Sequence, residues 1–437
     1  MASVNVLAQT KAFTHEGAKT TPCNAVETLK RTVMSCLLWE KQHYESGEST
    51  ADRIARLVPQ VDANECYSIA VDARTKSKLR HVPLLIARVM AKTPGHKALV
   101  ANLLAEIIQR PDELTEFVSI YWKEGRAPLS AQVKKGLARA FKKFGSYSLA
   151  KYQRNTAVKL RDVMFLSHPK PDNAEQKAMW DKLVAGTLET PDTWEVELSK
   201  NGNSKEAWVR LLNENKLGGM ALLRNLRNMQ EKGVDKSSIR DAISKAKTGR
   251  VLPFRFLAAA RYAPDLEPEL EQAMYRCIAD KEKISGRTAI MVDVSGSMTW
   301  PLSAKSEMVR EDAANGLAIL ARELCEDIEV FSFSNGVAKV APRRGFALRD
   351  AIHNSQAHGG TYLGKAIDIV QANTTFDRII VLTDEQSADR VKAPNGKGYI
   401  INVSSYENGI GYGAWTHING WSEAVLDFIL ESERNVD

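Results

Sequence analysis

Four short runs rich in Ile and Val, at about 288–294, 328–333, 377–382 and 399–403, occupy the last third of the chain. Helix-like segments at about 302–326, 362–372 and 422–431 separate them. Runs that are apolar throughout must be covered on both faces, and this alternation does so as a mostly parallel sheet with helices packed against it. In such sheets ligands gather outside the carboxyl ends of the strands. Two of the runs end there in polar chemistry. The first leads into Asp293-Val294-Ser295-Gly296-Ser297, and the third, Arg378 to Thr383, is followed by Asp384.

One carboxylate and two hydroxyls on a tight glycine-containing turn suit a hard divalent cation such as Mg²⁺, which takes oxygen ligands near octahedral geometry and keeps some waters. Thr361 adds a hydroxyl after His358-Gly359-Gly360, whose glycines let backbone approach closely. Asp293, Ser295, Ser297, Thr361 and Asp384 therefore form the candidate metal site. The alternative is a capped strand-to-helix turn in which Ser297 is only a polar cap. No general base stands out beside the site; Glu385 is expected at the solvated start of a loop or helix.

The chain before residue 285 reads as helical throughout. From Lys78 to Met90 a 3.6-residue stripe runs through Leu79, Val82, Leu85, Ile86, Val89 and Met90. Comparable faces recur near 25–45, 97–109, 112–122, 130–144, 204–213, 217–231 and 254–262, with turn signals such as Thr93-Pro94-Gly95 and Arg110-Pro111-Asp112 between them. Medium-length helices with short breaks suggest stacked pairs in a solenoid. No fixed-period repeat is found, and a compact irregular bundle is the alternative.

Charge is divided unevenly. Residues 1–285 carry 46 basic and 33 acidic side chains, and residues 286–437 carry 14 and 20. Between Lys123 and Lys170 twelve Lys or Arg face only Glu124 and Asp162, a net +10 that attracts polyanions. Lys134, Lys135, Arg139, Lys142 and Lys143 form a basic helix face suited to phosphate, with plain solvation as its alternative. Interleaved aromatics offer stacking surfaces for single strands. At helical spacing Phe141, Phe144 and Phe165 are expected in the core, leaving Tyr147 and Tyr152. His81, beside an apolar stripe, reads as structural, and Arg224 and Arg227 as either site residues or a solvated, ion-paired face.

No run of 18 uncharged apolar residues appears, the amino terminus lacks secretory-signal features, and Cys23, Cys36, Cys66, Cys277 and Cys325 are scattered without a Cys-x-x-Cys. These features predict no membrane span, neither a disulfide framework nor a zinc site, and a cytoplasmic location.

The five metal-site residues resemble the metal-ion-dependent adhesion site of the von Willebrand factor A domain, over about residues 286–437. In that family the three hydroxyls contact Mg²⁺ directly, the aspartates act largely through water, and a partner's carboxylate completes the shell. Lys78-Leu79-Arg80-His81-Val82-Pro83-Leu84-Leu85, Lys151-Tyr152-Gln153-Arg154-Asn155, Leu166-Ser167-His168-Pro169-Lys170-Pro171, Met220-Ala221-Leu222-Leu223-Arg224-Asn225-Leu226 and Leu252-Pro253-Phe254-Arg255-Phe256 resemble the TROVE module of the Ro ribonucleoprotein autoantigen family. There, as here, the module precedes a von Willebrand A domain. The resemblance implies a ring of HEAT-like helical repeats around a basic hole that takes single-stranded 3′ ends of misfolded RNA, and an outer surface that binds small Y RNAs. The stretch matching its RNA-contacting region contains Lys151, Arg154, Arg161, His168 and Lys170. Compactness suggests a bacterial or phage-type relative.

The resulting expectation is a multidomain α and α/β protein. Residues 1–23 are a lead that can be flexible, 24–284 a TROVE-like helical-repeat RNA-binding domain, and 285–437 a doubly wound α/β von Willebrand A-like domain holding Mg²⁺ or another divalent cation. Its function is expected to be non-enzymatic: a monomeric, cytoplasmic protein that joins noncoding RNA in a ribonucleoprotein for RNA quality control, with an acidic protein ligand at the metal. The alternative is a protein-interaction scaffold whose metal-dependent adhesion site grips an acidic partner.

Overall fold

The structure, a computed structural model, describes residues 13–20, 24–33, 50–77, 79–153, 155–249, 251, 253–302, 307–404, 409–411, 413–420 and 424–434. The described residues pack as two compact units. One takes those from Ala25 to Gly202, and the other takes 13–20, Asn24 and everything from Asn203 onward. This division falls at 202/203, whereas the change from helices to sheet falls between Ile278 and Ile284.

The first unit is helical: α1 (Ala25–Val33), α2 (Thr50–Leu57), α3 (Ala63–Thr75), α4 (His81–Lys92), α5 (Val100–Ile107), α6 (Pro111–Tyr121), α7 (Ala131–Phe141), α8 (Ser146–Lys151), α9 (Leu160–Ser167), α10 (Ala174–Ala185) and α11 (Trp194–Asn201). Short polar residues start several of them. Asp62 Oδ1 accepts from Asn64 N–H at 2.8 Å, and Asn173 Oδ1 from Gln176 N–H at 2.8 Å. Helix α4 is buried on every side from Val82 to Ala91, so its stripe residues Val82, Leu85, Ile86, Val89 and Met90 pack alongside Leu103, Leu104, Phe117 and Phe141 without leaving a solvent face there. Helices α5 and α7 approach closely at Gly136, where a Cβ would lie 2.8 Å from Leu104 Cβ.

The second unit continues with α12 (Lys205–Asn213), α13 (Gly219–Glu231), α14 (Lys236–Lys245), α15 (Phe254–Tyr262) and α16 (Glu267–Ile278). It then forms the α/β part: β1 (Ile284–Asp293), α17 (Arg310–Leu324), β2 (Cys325–Phe333), β3 (Val337–Lys339), α18 (Gly345–His353), α19 (Leu363–Asn373), β4 (Arg378–Thr383), β5 (Lys397–Asn402), β6 (Trp415–Asn419) and α20 (Ala424–Arg434). The sheet order is β3-β2-β1-β4-β5-β6, parallel except for β3 against β2. Side chains alternate between two buried faces. Ala289, Met291, Ile379 and Val381 join Leu363, Ala366, Ile367 and Val370 of α19 in one core, while Ile290, Val292, Ile380 and Leu382 are buried out of register with that set.

Strands β3 and β6 and helix α18 are not anticipated by the sequence reading, and α17 begins at Arg310 rather than near 302. Upstream of it, a short 3₁₀ turn at Gly296–Thr299 and a bridge between Pro301 and Val309 take up the connection. Residues 13–20, expected as part of a lead, carry fixed contacts: Phe13 bridges Lys19, Thr14 Oγ1 donates to Ser387 O at 2.6 Å, and Ala18 lies in the core under α19.

Candidate functional site

Strand β1 leaves β2 on one side and β4 on the other, so the chain reverses its winding between β1 and β4. Asp293 is the last residue of β1, and Asp384 follows the last residue of β4, which places both carboxylates at the carboxyl-end crevice of that switch point. Both are fully buried, as are Ser295 and Thr361; Ser297 is half-buried. Hydrogen bonds draw the three loops together. Gly296 N–H donates to Gly359 O at 2.9 Å, and Ala388 N–H donates to Thr361 O at 2.7 Å.

Within the turn, Asp293 accepts from Ser295 N–H at 2.8 Å and from the Thr383 hydroxyl at 2.6 Å. Ser295 Oγ and Ser297 Oγ lie 3.3 Å apart, close to the spacing of about 3 Å between adjacent oxygens around Mg²⁺ with bonds of about 2.1 Å. The cap position of the 3₁₀ turn at Gly296–Thr299 falls to Ser295, whose side chain makes no cap hydrogen bond, and Ser297 lies inside the turn. The donor set fits a hard cation: hydroxyl and carboxylate oxygens, with an excess of buried negative charge. Burial, and then the charge of Asp384, pushes the Asp293 carboxyl up to about 7.

Arg310 completes the electrostatics. Its guanidinium donates to Asp384 Oδ2 at 2.7 Å in a buried pair, so Asp384 already has one counter-charge. The sequence reading does not single out Arg310, which lies 74 residues from Asp384. Glu385 also departs from expectation. It is buried rather than solvated, in a left-handed turn at φ +60°, and pairs with buried His417 of the unanticipated β6 at 3.0 Å.

The basic stretch lies in the first unit, and its candidates divide by what already holds them. The Lys142 ammonium pairs with Asp172. Lys143 donates to Ala105 O and Ile108 O, covering the last carbonyls of α5, and burial pushes its ammonium down. Arg139 donates to Asn102 Oδ1 at 2.6 Å, and Arg161 Nε lies 3.9 Å from Asp162. Lys134, Lys135, Lys151 and Lys170 make no ion pair with any described residue, and Lys135 and Lys170 are exposed. His168 ends α9 in the left-handed region at φ 50°, its N–H bonded to Met164 O at 2.9 Å and its side chain exposed. Arg154 lies outside the described residues.

Of the aromatics, Phe141 and Phe144 are buried as expected, but Phe165 is 55% exposed. Leu160, Val163 and Ser167 carry the buried face of α9, and Phe165, two residues from Val163, points away from it. Tyr147 is 62% exposed, whereas Tyr152 is half-buried under the Arg110 guanidinium, 4.8 Å from its ring. His81 is half-exposed, with Nε2 3.4 Å from Glu116. Arg227 is ion-paired with Glu231 at 3.1 Å.

Comparison with known proteins places these parts. The TROVE domain matches residues 173–312 and the von Willebrand factor type A domain residues 288–386, so the chain carries a TROVE domain followed by a von Willebrand A domain. The basic stretch precedes the matched TROVE residues. Among solved structures, the Ro (RSR) protein of Deinococcus radiodurans shares the fold, with a TM-score of 0.65 at 19% identity over 94% of this chain and 100% of that one. Telomerase protein component 1 of Rattus norvegicus is 37% identical over 100 residues, and that of Mus musculus 36%. Those matches cover 21% of this chain and 4% of each telomerase component.

No helix among the described residues is long and apolar enough to cross a membrane.

Proposed function

We propose that the protein binds structured noncoding RNA carrying a single-stranded 3′ end, through the basic helical stretch, and holds Mg²⁺ at Asp293, Ser295, Ser297, Thr361 and Asp384. The observation that carries the RNA reading is that one stretch of sequence holds Lys134, Lys135, Lys151 and Lys170, free of ion pairs with described residues, and the exposed rings of Tyr147 and Phe165. Ammonium groups without counter-charges neutralise phosphates at least cost, and exposed rings supply sequence-tolerant stacking for unpaired bases. His168 offers an imidazole beside Lys170 that can donate to phosphate or stack. The TROVE domain and the Ro fold support the same reading, as does the ribonucleoprotein role in RNA quality control that the family resemblance implies.

The metal turn serves a different purpose. Its hydroxyls and carboxylates would hold Mg²⁺ with a position left for an acidic group of a protein ligand, and no catalytic step is assigned to it. Binding of one RNA with and without a single-stranded 3′ tail, measured by filter retention at low salt, tests the RNA reading. Tighter binding of the tailed form is expected. Equal affinity would refute recognition of the end, and no binding at low salt would overturn the RNA reading in favour of a protein-interaction scaffold.

A further inference from the structure

We infer that the α/β part carries a second metal site, for a first-row transition cation such as Zn²⁺, formed by Glu311, His353 and His358. Glu311 sits in the first turn of α17, His353 is the last residue of α18, and His358 lies in the loop that leads to Thr361. One ligand atom from each lies within 4.8 Å of the others. His353 Nδ1 is 2.9 Å from Glu311 Oε1, and His358 Nδ1 is 3.9 Å from Glu311 Oε2. Ligand atoms on a tetrahedral ion with bonds of about 2.1 Å are about 3.4 Å apart, and each imidazole nitrogen lies within about half an ångström of that distance from one oxygen of Glu311.

The hydrogen bonds specify which nitrogens face the ion. His358 Nε2 lies 3.0 Å from the carbonyl oxygen of His353. A carbonyl only accepts, so Nε2 carries a proton, which leaves Nδ1, on the side of the Glu311 carboxylate, as the nitrogen that can ligate. That Nδ1 is buried without a hydrogen-bond partner. A cation between Nδ1 and the carboxylate, 3.9 Å apart, would give both a partner. The Nε2–H···O=C bond is also the support that orients a metal-bound imidazole. On the other side, His353 Nδ1 now shares a proton with Glu311 Oε1. Moving that proton to Nε2 frees Nδ1 to ligate.

The donor chemistry separates this site from the metal turn. Two imidazoles and one carboxylate suit Zn²⁺ and its neighbours, while the hydroxyl-rich turn suits Mg²⁺. Glu311 is buried and His353 is 56% exposed, so the ion would be anchored from within and open outward at a fourth position.

The test uses the tag-free, metal-stripped full chain in excess Mg²⁺, which fills the oxygen-ligand turn. Titration with Co²⁺ should produce a visible ligand-field band saturating at one equivalent, and Zn²⁺ should displace it. His353→Ala, at an exposed position where folding is undisturbed, should weaken Co²⁺ binding by more than about tenfold, and His358→Ala should do the same. Absence of the band in the parent protein would overturn the inference. So would a band that persists unchanged in both variants.

Discussion

If existing partners decide which cations are available to RNA, two sets of lysines in the same stretch must behave differently. Lys135, Lys151 and Lys170 are free of ion pairs with described residues, while Lys142 pairs with Asp172 and Lys143 holds the carbonyls of Ala105 and Ile108. Each single-strand phosphate neutralised contributes about −0.7 to the slope of log K against log salt. Changing Lys135, Lys151 and Lys170 to Ala should therefore flatten the slope by roughly 2, which is about a hundredfold loss of affinity at 0.1 M salt that shrinks toward 1 M. Changing Lys142 and Lys143 to Ala should leave the slope nearly unaltered and destabilise the helical unit by about 1 kcal/mol, because carbonyls at the end of α5 lose a donor. Filter binding of a tailed RNA across a salt series reads the slopes, and thermal melting reads the stability. A slope flattened equally by both sets would refute the partition by existing partners. An unaltered slope in the triple variant would remove this stretch as the RNA surface.

Two further outcomes follow from the packing and charge. Asp293 keeps its proton up to about 7 in the metal-free protein, which favours the fold on the acid side and is lost as pH rises through that value. Mg²⁺ needs the carboxylate, so its apparent affinity should fall by up to about tenfold per unit as pH drops below 7 and level off above it, in calorimetry at a series of pH values; a flat profile from about pH 6 to 8 would contradict this. Gly136→Val should cost the helical unit about 1–3 kcal/mol, seen as a lower denaturation midpoint, because even a first Cβ there meets Leu104 at 2.8 Å.

Periodicity carries the fold further than it carries the site. Helix α4 and the apolar runs of β1, β4 and β5 are legible because burial is nearly continuous along them, unbroken from Val82 to Ala91 on α4, and the run of β2 is buried over its last four residues. Strand β3 spans three residues and leaves no period to read, and β6, with Trp415, Thr416 and His417, mixes polar and apolar residues at a sheet edge. The metal turn is legible because its ligands cluster at strand ends. Its counter-charge is not, since Arg310 lies 74 residues from Asp384 and nothing local marks the pairing. Glu385 is misread for a related reason: its left-handed turn directs it to His417, which lies on a strand the sequence does not announce. Phe165 shows the limit of helical spacing, since two positions of register decide whether a ring is core or surface.

The fastening of residues 13–20 has a consequence for how the protein is made. Thr14 emerges early, but the carbonyl that receives its hydroxyl belongs to Ser387, 373 residues later. At about 5–20 residues per second, translation separates the two by on the order of 20 to 75 s. The helical unit, whose described residues end at Gly202, leaves the ribosome whole within that interval. It can fold while the segment ahead of it waits for a seat. Closing the Thr14–Ser387 contact must wait for Ser387, so it ties the first described residues to the α/β core only after the helical unit has been made.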